Sequence, residues 1–183
     1  MLSKEQAIEL LKMHVKNDKL IKHCLAVAKI MQSLAHELKE NEELWYLTGI
    51  LHDLDYEKTK ENMKEHGIKS AEILVGKLPE QALLAIKAHN EMTGYKPESK
   101  LALALRASDA VSGLIIATAL VMPDKKLASI KVESLKNKFK QKDFARNVRR
   151  DNILLCEKLG ISLEKFLEIS LNALKEISSE LGL

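Results

Sequence analysis

The sequence predicts an all-α protein that folds as a single compact domain over residues 1–183. Three observations lead to this prediction. A chain of 183 residues with 46% hydrophobic and 30% charged side chains is typical of one globular domain. Only 4% of its residues are aromatic and seven are glycine, which disfavours a β-rich fold. Apolar residues recur at steps of three and four along most of the chain, which is the spacing of amphipathic helices.

Capping signals and apolar stripes predict three helices in the first part of the chain. Ser3 and Gln6 have the spacing of a capping box, and Asn41 precedes two glutamates as an N-cap. His23 lies on the apolar face of the second helix. The predicted helices cover about residues 4–16, residues 18–38, and the segment from Asn41 to the pair His52-Asp53.

The remaining elements follow from turn signals and charge. A charged loop is predicted over 55–64, and Ser162 is the expected N-cap of a last amphipathic helix. Shorter helices are expected through residues 123–161. The other predicted helices are about 65–77 with His66 in its first turn, Pro79 to His89, and the long apolar stretch 98–121 that carries Asp109.

The apolar stretch 101–122 is long enough to cross a membrane, but it contains Arg106 and Asp109. Both charges would be costly in lipid, so we expect a buried central helix whose inward charge needs a partner. No basic region followed by an apolar core marks a signal peptide at the N-terminus. Cys24 and Cys156 lack the spacing of a disulfide or zinc motif. A cytoplasmic protein without a membrane partner is the resulting expectation.

The charge of the chain is small overall but uneven. The formal net charge of +3 is too small to imply a nucleic-acid partner by itself, and none is expected. Residues 125–150 contain ten Lys or Arg and only two acids. Such a run is most often a solvated helical face. The alternative is a basic wall that attracts a phosphorylated substrate toward a neighbouring cleft.

Six side chains are candidates to bind one or two metal ions. His23 and Asp109 lie on apolar stripes, where an unpaired polar group costs about 2–7 kcal/mol. Imidazoles and carboxylates without a thiolate suit Fe, Mn, Co, Ni or Zn. Two ions bridged by Asp53 would favour hydrolysis of a phosphoester. The six candidates are His23, His52, Asp53, His66, His89 and Asp109.

This pattern of a His, a His-Asp pair and a distant Asp resembles the HD-domain metal-dependent phosphohydrolases. The resemblance covers about residues 18–122, which we expect to form the metal-binding core, with the C-terminal helices of residues 123–183 packed on it. The dinuclear subgroup has two more histidines between the pair and the last Asp, where His66 and His89 stand. The family's HDIG motif often reads His-Asp-Ile-Gly-Lys; here Asp55 and Tyr56 replace the glycine and the lysine.

The resemblance implies an all-α fold and hydrolysis of a small phosphorylated metabolite by attack of a metal-bound hydroxide. A nucleotide is the expected substrate. No organic cofactor is predicted. The same ligand set is similar to that of the diiron oxygenases of the superfamily, which is one alternative. A non-catalytic nucleotide-binding sensor is another. With a single ion, His66 and His89 would lie outside the ligand set.

Catalytic roles are expected for Asp53, Asp55 and Arg106. Asp55 and Glu57 could serve as general acid or base, although a solvated loop acid is the common alternative. Arg106 could orient Asp109 or bind a substrate phosphate, with a structural ion pair as the alternative. Lys69 is a weaker candidate for phosphate binding. The apolar last helix could cap the core or form the interface of a homo-oligomer.

Overall fold

The computed structural model describes residues 2–183 and confirms the all-α prediction. No β-strand occurs among these residues. Two short 3-10 helices cover Glu91–Thr93 and Leu127–Ser129. The α-helices in chain order are α1 (Lys4–His14), α2 (Asp18–Leu38), α3 (Glu42–Leu51), α4 (Tyr56–Thr59), α5 (Ile68–Ile73), α6 (Glu80–His89), α7 (Lys100–Val121), α8 (Val132–Lys140), α9 (Arg150–Ile153), α10 (Leu155–Lys158), α11 (Leu163–Glu176) and α12 (Ser178–Leu181).

The predicted caps form as the sequence suggested. The side chain of Ser3 accepts a hydrogen bond from the Gln6 N–H, and the Gln6 side chain accepts one from the Ser3 N–H. Asn41 accepts from the Leu44 N–H at the start of α3, and Ser162 accepts from the Lys165 N–H at the start of α11. These bonds satisfy backbone donors that a helix leaves free at its first turn.

The helices α2 and α7 form the centre of the fold. The first packs along α3 and α11, and the second packs against α2, α6 and α8 to α10. By length and composition α7 could cross a membrane, and it is the only such helix among residues 2–183. Of its most apolar 18-residue window, 56% is buried inside the protein. The contacts and the burial fit the predicted central helix.

A glycine sets the distance between α2 and α3. A Cβ atom on Gly49 would lie 2.8 Å from the Cα of Ala28, closer than real contacts of this kind. The absence of a side chain therefore lets the two helices touch through their backbones. This contact brings the end of α3 beside α2, and the rings of His23 and His52 lie with their centroids 5.4 Å apart.

The segment after α3 differs from its prediction. The predicted loop over 55–64 contains the short helix α4, and the predicted helix over 65–77 is reduced to α5. His66 does not lie in a first helical turn. Gly67 has φ of 90°, in the left-handed region that favours glycine, and α5 begins only after it.

The basic region is only partly a solvated face. Arg150 is half-buried, and its guanidinium donates hydrogen bonds to six backbone carbonyls at the end of α8 and in the segment that follows. These belong to Lys138, Phe139, Gln141, Phe144, Ala145 and Val148. One charged side chain thus holds the conformation of residues 141–149, which pass close to α7.

Candidate metal centre

The structure brings all six candidate ligands together around Asp53. Its Oδ1 lies 3.2 Å from Nε2 of His52, 3.3 Å from Nε2 of His66 and 3.2 Å from Nε2 of His89. Its Oδ2 lies 3.7 Å from Nε2 of His23. That nitrogen lies 3.1 Å from Oδ1 of Asp109, which completes the group. The side chains come from α2, α7, the ends of α3 and α6, and the residue before Gly67.

The six candidate ligands divide into two neighbouring groups. Donor atoms of His23, His52 and Asp109 lie within 4.8 Å of one another, and so do those of Asp53, His66 and His89. Asp53 lies between the groups, because its two oxygens approach histidines of both. Each group could hold a metal ion, and the Asp53 carboxylate is within reach of both.

A hydrogen bond at Nδ1 fixes the orientation of three of the imidazole rings. Nδ1 of His52 donates to the Gly49 carbonyl at 2.7 Å, and Nδ1 of His89 donates to the Ile86 carbonyl at 2.5 Å. A carbonyl can only accept, so these Nδ1 atoms carry the proton and the neutral rings present a bare Nε2. His66 points its Nδ1 at the carboxylate of Asp55 at 2.8 Å. Outer partners of this kind orient metal-bound histidines.

The donor set fits a metal cation. The Nε2 atoms of His66 and His89 lie 3.0 Å apart, and both face Oδ1 of Asp53. Nε2 of His52 is buried and has no hydrogen-bond partner, because the Asp53 carboxylate beside it can only accept. Nitrogen and carboxylate atoms that converge in this way repel one another unless a proton or a metal cation lies between them. The chemistry of the donors matches that of divalent transition metals.

The titration behaviour of the cluster reflects burial and close charges. Burial lowers the pKa of His52 to about 4, so this ring is neutral at pH 7. Burial also lowers the pKa of His66, but hydrogen bonds to Asp53 and Asp55 outweigh it and raise the value to about 9. The pKa of Asp53 stays well below its usual range despite burial, because the surrounding histidines favour the carboxylate. At pH 7 His66 therefore carries a proton beside Asp53 in the absence of a metal, and a cation that binds its Nε2 would displace this proton.

A cavity of about 880 Å³ opens above the cluster. Five of the six candidate ligands line it, and His52 lies behind them. Two lysines, Lys19 and Lys60, stand on its wall together with Tyr56. The Tyr56 ring meets the His66 ring edge-on, with centroids 5.2 Å apart. The volume falls within the range of about 300–1,000 Å³ that is common for small-molecule sites.

Comparison with known families agrees with this geometry. Residues 20–114 match the HD domain family, slightly more than half of the chain. This protein belongs to the HD domain family. Most members of the HD superfamily are metal-dependent phosphohydrolases. The clustered His and Asp side chains of this HD domain could hold metal ions. Comparisons with curated proteins and with solved structures find no match for the chain.

Asp55 has different contacts in this HD domain from those expected of a general acid or base. It is 1% exposed and does not line the cavity. Its Oδ1 accepts from His66, and its Oδ2 accepts from the N–H groups of Gly67 and Ser70 at 2.8 and 2.9 Å. It is neither a solvated loop acid nor a group that faces substrate. These contacts make Asp55 a positioning residue that orients His66 and caps α5.

Arg106 and Lys69, which were expected to bind phosphate, also have contacts that differ from that expectation. Arg106 pairs with Glu91 at 3.3 Å and approaches Asn152 at 3.4 Å, which is the structural ion pair that we considered as the alternative. It lines neither the cavity above the cluster nor the smaller one beside it. Lys69 is exposed and pairs with Glu65. These positions do not favour direct contact of Arg106 or Lys69 with a substrate phosphate, and that role stays a prediction for both.

Several residues shape the site in ways that the sequence did not predict. Glu57 binds backbone groups instead of solvent, since its carboxylate accepts from the N–H groups of Lys16 and Asn17. Asn90 links the end of α6 to the segment that carries His66, because its Nδ2 donates to the carbonyls of Met63 and His66. Cys24 lies behind the cluster, with its sulfur within 4.8 Å of donor atoms of His52 and Asp53. Only the adjacency of Cys24 to His23 in the sequence offered a signal.

Proposed function

We propose that this protein is a metal-dependent hydrolase that cleaves a phosphoester in a small phosphorylated metabolite, with a nucleotide as the substrate class. One observation carries the proposal: imidazole and carboxylate donors face a common centre at the base of a cavity that two lysines line. The centre suits cations, and the wall suits an anion. A phosphorylated compound is the substrate that needs both.

The proposed ligands follow from the two groups of donors. His23, His52 and Asp109 would hold one ion, His66 and His89 would hold a second, and Asp53 would contact both. Bound divalent transition metals supply Lewis-acid activation of water and of the phosphoester. The partners at Nδ1 aim each Nε2 inward.

Lys19 and Lys60 are proposed to attract and orient the substrate. Both line the cavity, and neither forms an ion pair with a carboxylate of residues 2–183. Most of the other acidic groups near them are already occupied: Glu57 binds backbone N–H groups and Asp109 faces His23. The positive charge at this wall therefore remains available to a phosphate.

A cytoplasmic location is part of the proposal. Both cysteines are buried free thiols, with no disulfide among the described residues. Free thiols are common where cellular reductants keep cysteines reduced. Phosphorylated metabolites occur in the same compartment.

The proposal is tested on protein purified without oxygen, by counting the metal ions per chain and by assaying release of phosphate or p-nitrophenol. We expect metal-dependent turnover of at least one nucleotide or of bis(p-nitrophenyl) phosphate. His52→Ala should lose metal and turnover while its helical circular dichroism persists. His36→Ala is the matched control, because His36 is exposed and pairs with Glu42 away from the cluster.

Three results would contradict the hydrolase. Full turnover in His52→Ala would show that the cluster is not the reaction centre. Oxygen uptake by the iron-loaded protein without phosphoester cleavage would instead support the diiron oxygenase. Tight nucleotide binding without turnover, across several divalent metals, would support the sensor.

A further inference from the structure

The cluster lies between two cavities that join above it. The second cavity has a volume of about 420 Å³ and shares His23, His89, Asn90 and Asp109 with the first. We call the part of the first cavity near Lys19, Tyr56 and Lys60 the lysine lobe. We call the second cavity the amide lobe, because Asn147 and Asn152 line it. A substrate that spans both lobes would pass directly over the proposed metal ligands.

The two lobes differ in the charge that they offer. The lysine lobe presents the unpaired ammonium groups of Lys19 and Lys60. Beside the amide lobe, Glu91 pairs with both Arg106 and Arg149, and the carboxylates of Glu91 and Asp109 together balance the two guanidinium charges. An anionic group therefore gains more from the lysine lobe than from the amide lobe.

The amide lobe instead offers neutral hydrogen-bonding groups. The side chain of Asn147 makes no hydrogen bond to any residue that the structure describes, so its amide N–H₂ and C=O are both available. Asn152 uses only its Oδ1, which accepts weakly from Arg106 at 3.4 Å. Its N–H₂ group remains free to donate. Two amides supply donors and an acceptor without a net charge.

The walls between these amides are apolar and are held in place. Val148 and Met92 line the lobe, and Gly113 of α7 lies opposite Val148. A Cβ atom on Gly113 would lie 3.0 Å from Cγ2 of Val148, so glycine permits this close approach. The carbonyl bonds of Arg150 fix the segment that carries Asn147 and Val148. Apolar walls with hydrogen-bonding groups at the edge suit an uncharged heterocycle.

We propose that the amide lobe binds the base of a nucleotide substrate, and that Asn147 is a specificity-determining residue. The inference rests on the proposed phosphohydrolase function and adds to it the orientation of the substrate. The base enters the amide lobe, the scissile phosphate faces the cluster around Asp53, and any further anionic group extends toward Lys19 and Lys60.

The test compares two substrates that differ only in one arm. Thymidine 5′-monophosphate p-nitrophenyl ester and bis(p-nitrophenyl) phosphate carry the same leaving group and the same single negative charge, but only the first has a base. In the manganese-loaded protein, Asn147→Ala should raise the KM of the thymidine compound by roughly 2- to 10-fold, the range expected for loss of a neutral hydrogen bond. The KM of bis(p-nitrophenyl) phosphate and both kcat values should stay at the wild-type level.

Lys142→Ala is the matched control, because Lys142 lies in the same segment but lines neither lobe. Its KM values should equal those of the wild type for both compounds. Equal effects of Asn147→Ala on the two substrates, or no effect on either, would overturn the inference while leaving the hydrolase intact.

Failure of the hydrolase itself is a separate result. If the wild type cleaves neither compound, equilibrium dialysis with thymidine 5′-monophosphate decides the question of the lobe. Weaker binding by Asn147→Ala than by Lys142→Ala would then support the base site in a non-catalytic protein. Equal binding, or none by the wild type, would overturn it.

Discussion

The contacts of Asp55 lead to a sharp prediction for Asp55→Asn. The carboxylate accepts hydrogen bonds from His66 Nδ1 and from the N–H groups of Gly67 and Ser70. An asparagine keeps one acceptor oxygen and replaces the other oxygen with an N–H₂ donor. If this donor faced Gly67 and Ser70, two buried N–H groups would lose their acceptor, at about 1–3 kcal/mol each. If the N–H₂ group faced His66 instead, the remaining oxygen would still accept from the N–H groups of Gly67 and Ser70.

The lower-cost orientation changes the imidazole. An N–H₂ group opposite Nδ1 of His66 favours the tautomer in which Nδ1 accepts and Nε2 carries the proton. That proton points toward Asp53, where the ring would otherwise offer a lone pair to a metal. Loss of an outer partner of this kind typically lowers metal affinity by about 10- to 100-fold, which corresponds to ~1.4–2.8 kcal/mol.

The assay is a competition titration against a chromogenic chelator, combined with urea unfolding in the presence of EDTA. Asp55→Asn should weaken metal binding by the stated factor and should lower the free energy of unfolding by only about 1–3 kcal/mol. Glu57→Gln is the control, because it makes the same chemical change in a carboxylate that binds only backbone N–H groups. Metal affinity in Asp55→Asn equal to that in Glu57→Gln would refute the reasoning.

Three further outcomes follow from other contacts. Gly49→Ala should destabilise the protein by about 1–3 kcal/mol, because its Cβ would lie 2.8 Å from the Cα of Ala28; an unchanged thermal midpoint would argue against the close contact. Lys60→Ala should raise the KM of a cleaved nucleotide with little change in kcat and should weaken the dependence of KM on salt, and a KM equal to that of the wild type would remove Lys60 from the binding site. Burial raises the pKa of the Cys156 thiol to about 12, so Ellman's reagent at pH 8 should modify Cys156 only after the protein unfolds; rapid modification of the native protein would contradict its burial.

Much of the scaffold could be predicted from local signals. The bounds of α2 and the starts of α3 and α11 follow from caps and apolar periodicity, which depend on neighbours a few residues apart. The placement of His23 and Asp109 on helix faces also follows, since a helix repeats every 3.6 residues. Their approach to one another across 86 positions in the chain was inferred from the family resemblance and from chemistry, not from periodicity.

The segment between α3 and α6 could not be predicted in the same way. Asp55 and Glu57 are equally charged in the sequence, yet one is buried against His66 and the other binds the turn before α2. Long-range hydrogen bonds decide these environments, and propensity carries no information about them. The shortened α5 has the same origin, because the carboxylate of Asp55 and the left-handed Gly67 fix its start.

The construction of the centre explains why two of its histidines stand where helices end. His52 follows the last residue of α3 and His89 is the last residue of α6. Each ring turns back to the carbonyl three residues earlier, at Gly49 and at Ile86. Carbonyls near a helix C-terminus have lost their next intrahelical partner and carry partial negative charge.

This hydrogen bond from Nδ1 to a carbonyl at the helix end therefore has two effects. It satisfies a free carbonyl of the helix and fixes Nδ1 as the protonated nitrogen, which leaves Nε2 of His52 and of His89 aimed at Asp53. It also directs two negative helix ends toward the place where a cation would bind. A histidine moved one turn earlier would share its carbonyl with an intrahelical N–H, whereas at the helix end the ring has that acceptor to itself. The position of these residues at helix ends thus favours the tautomer that the site needs.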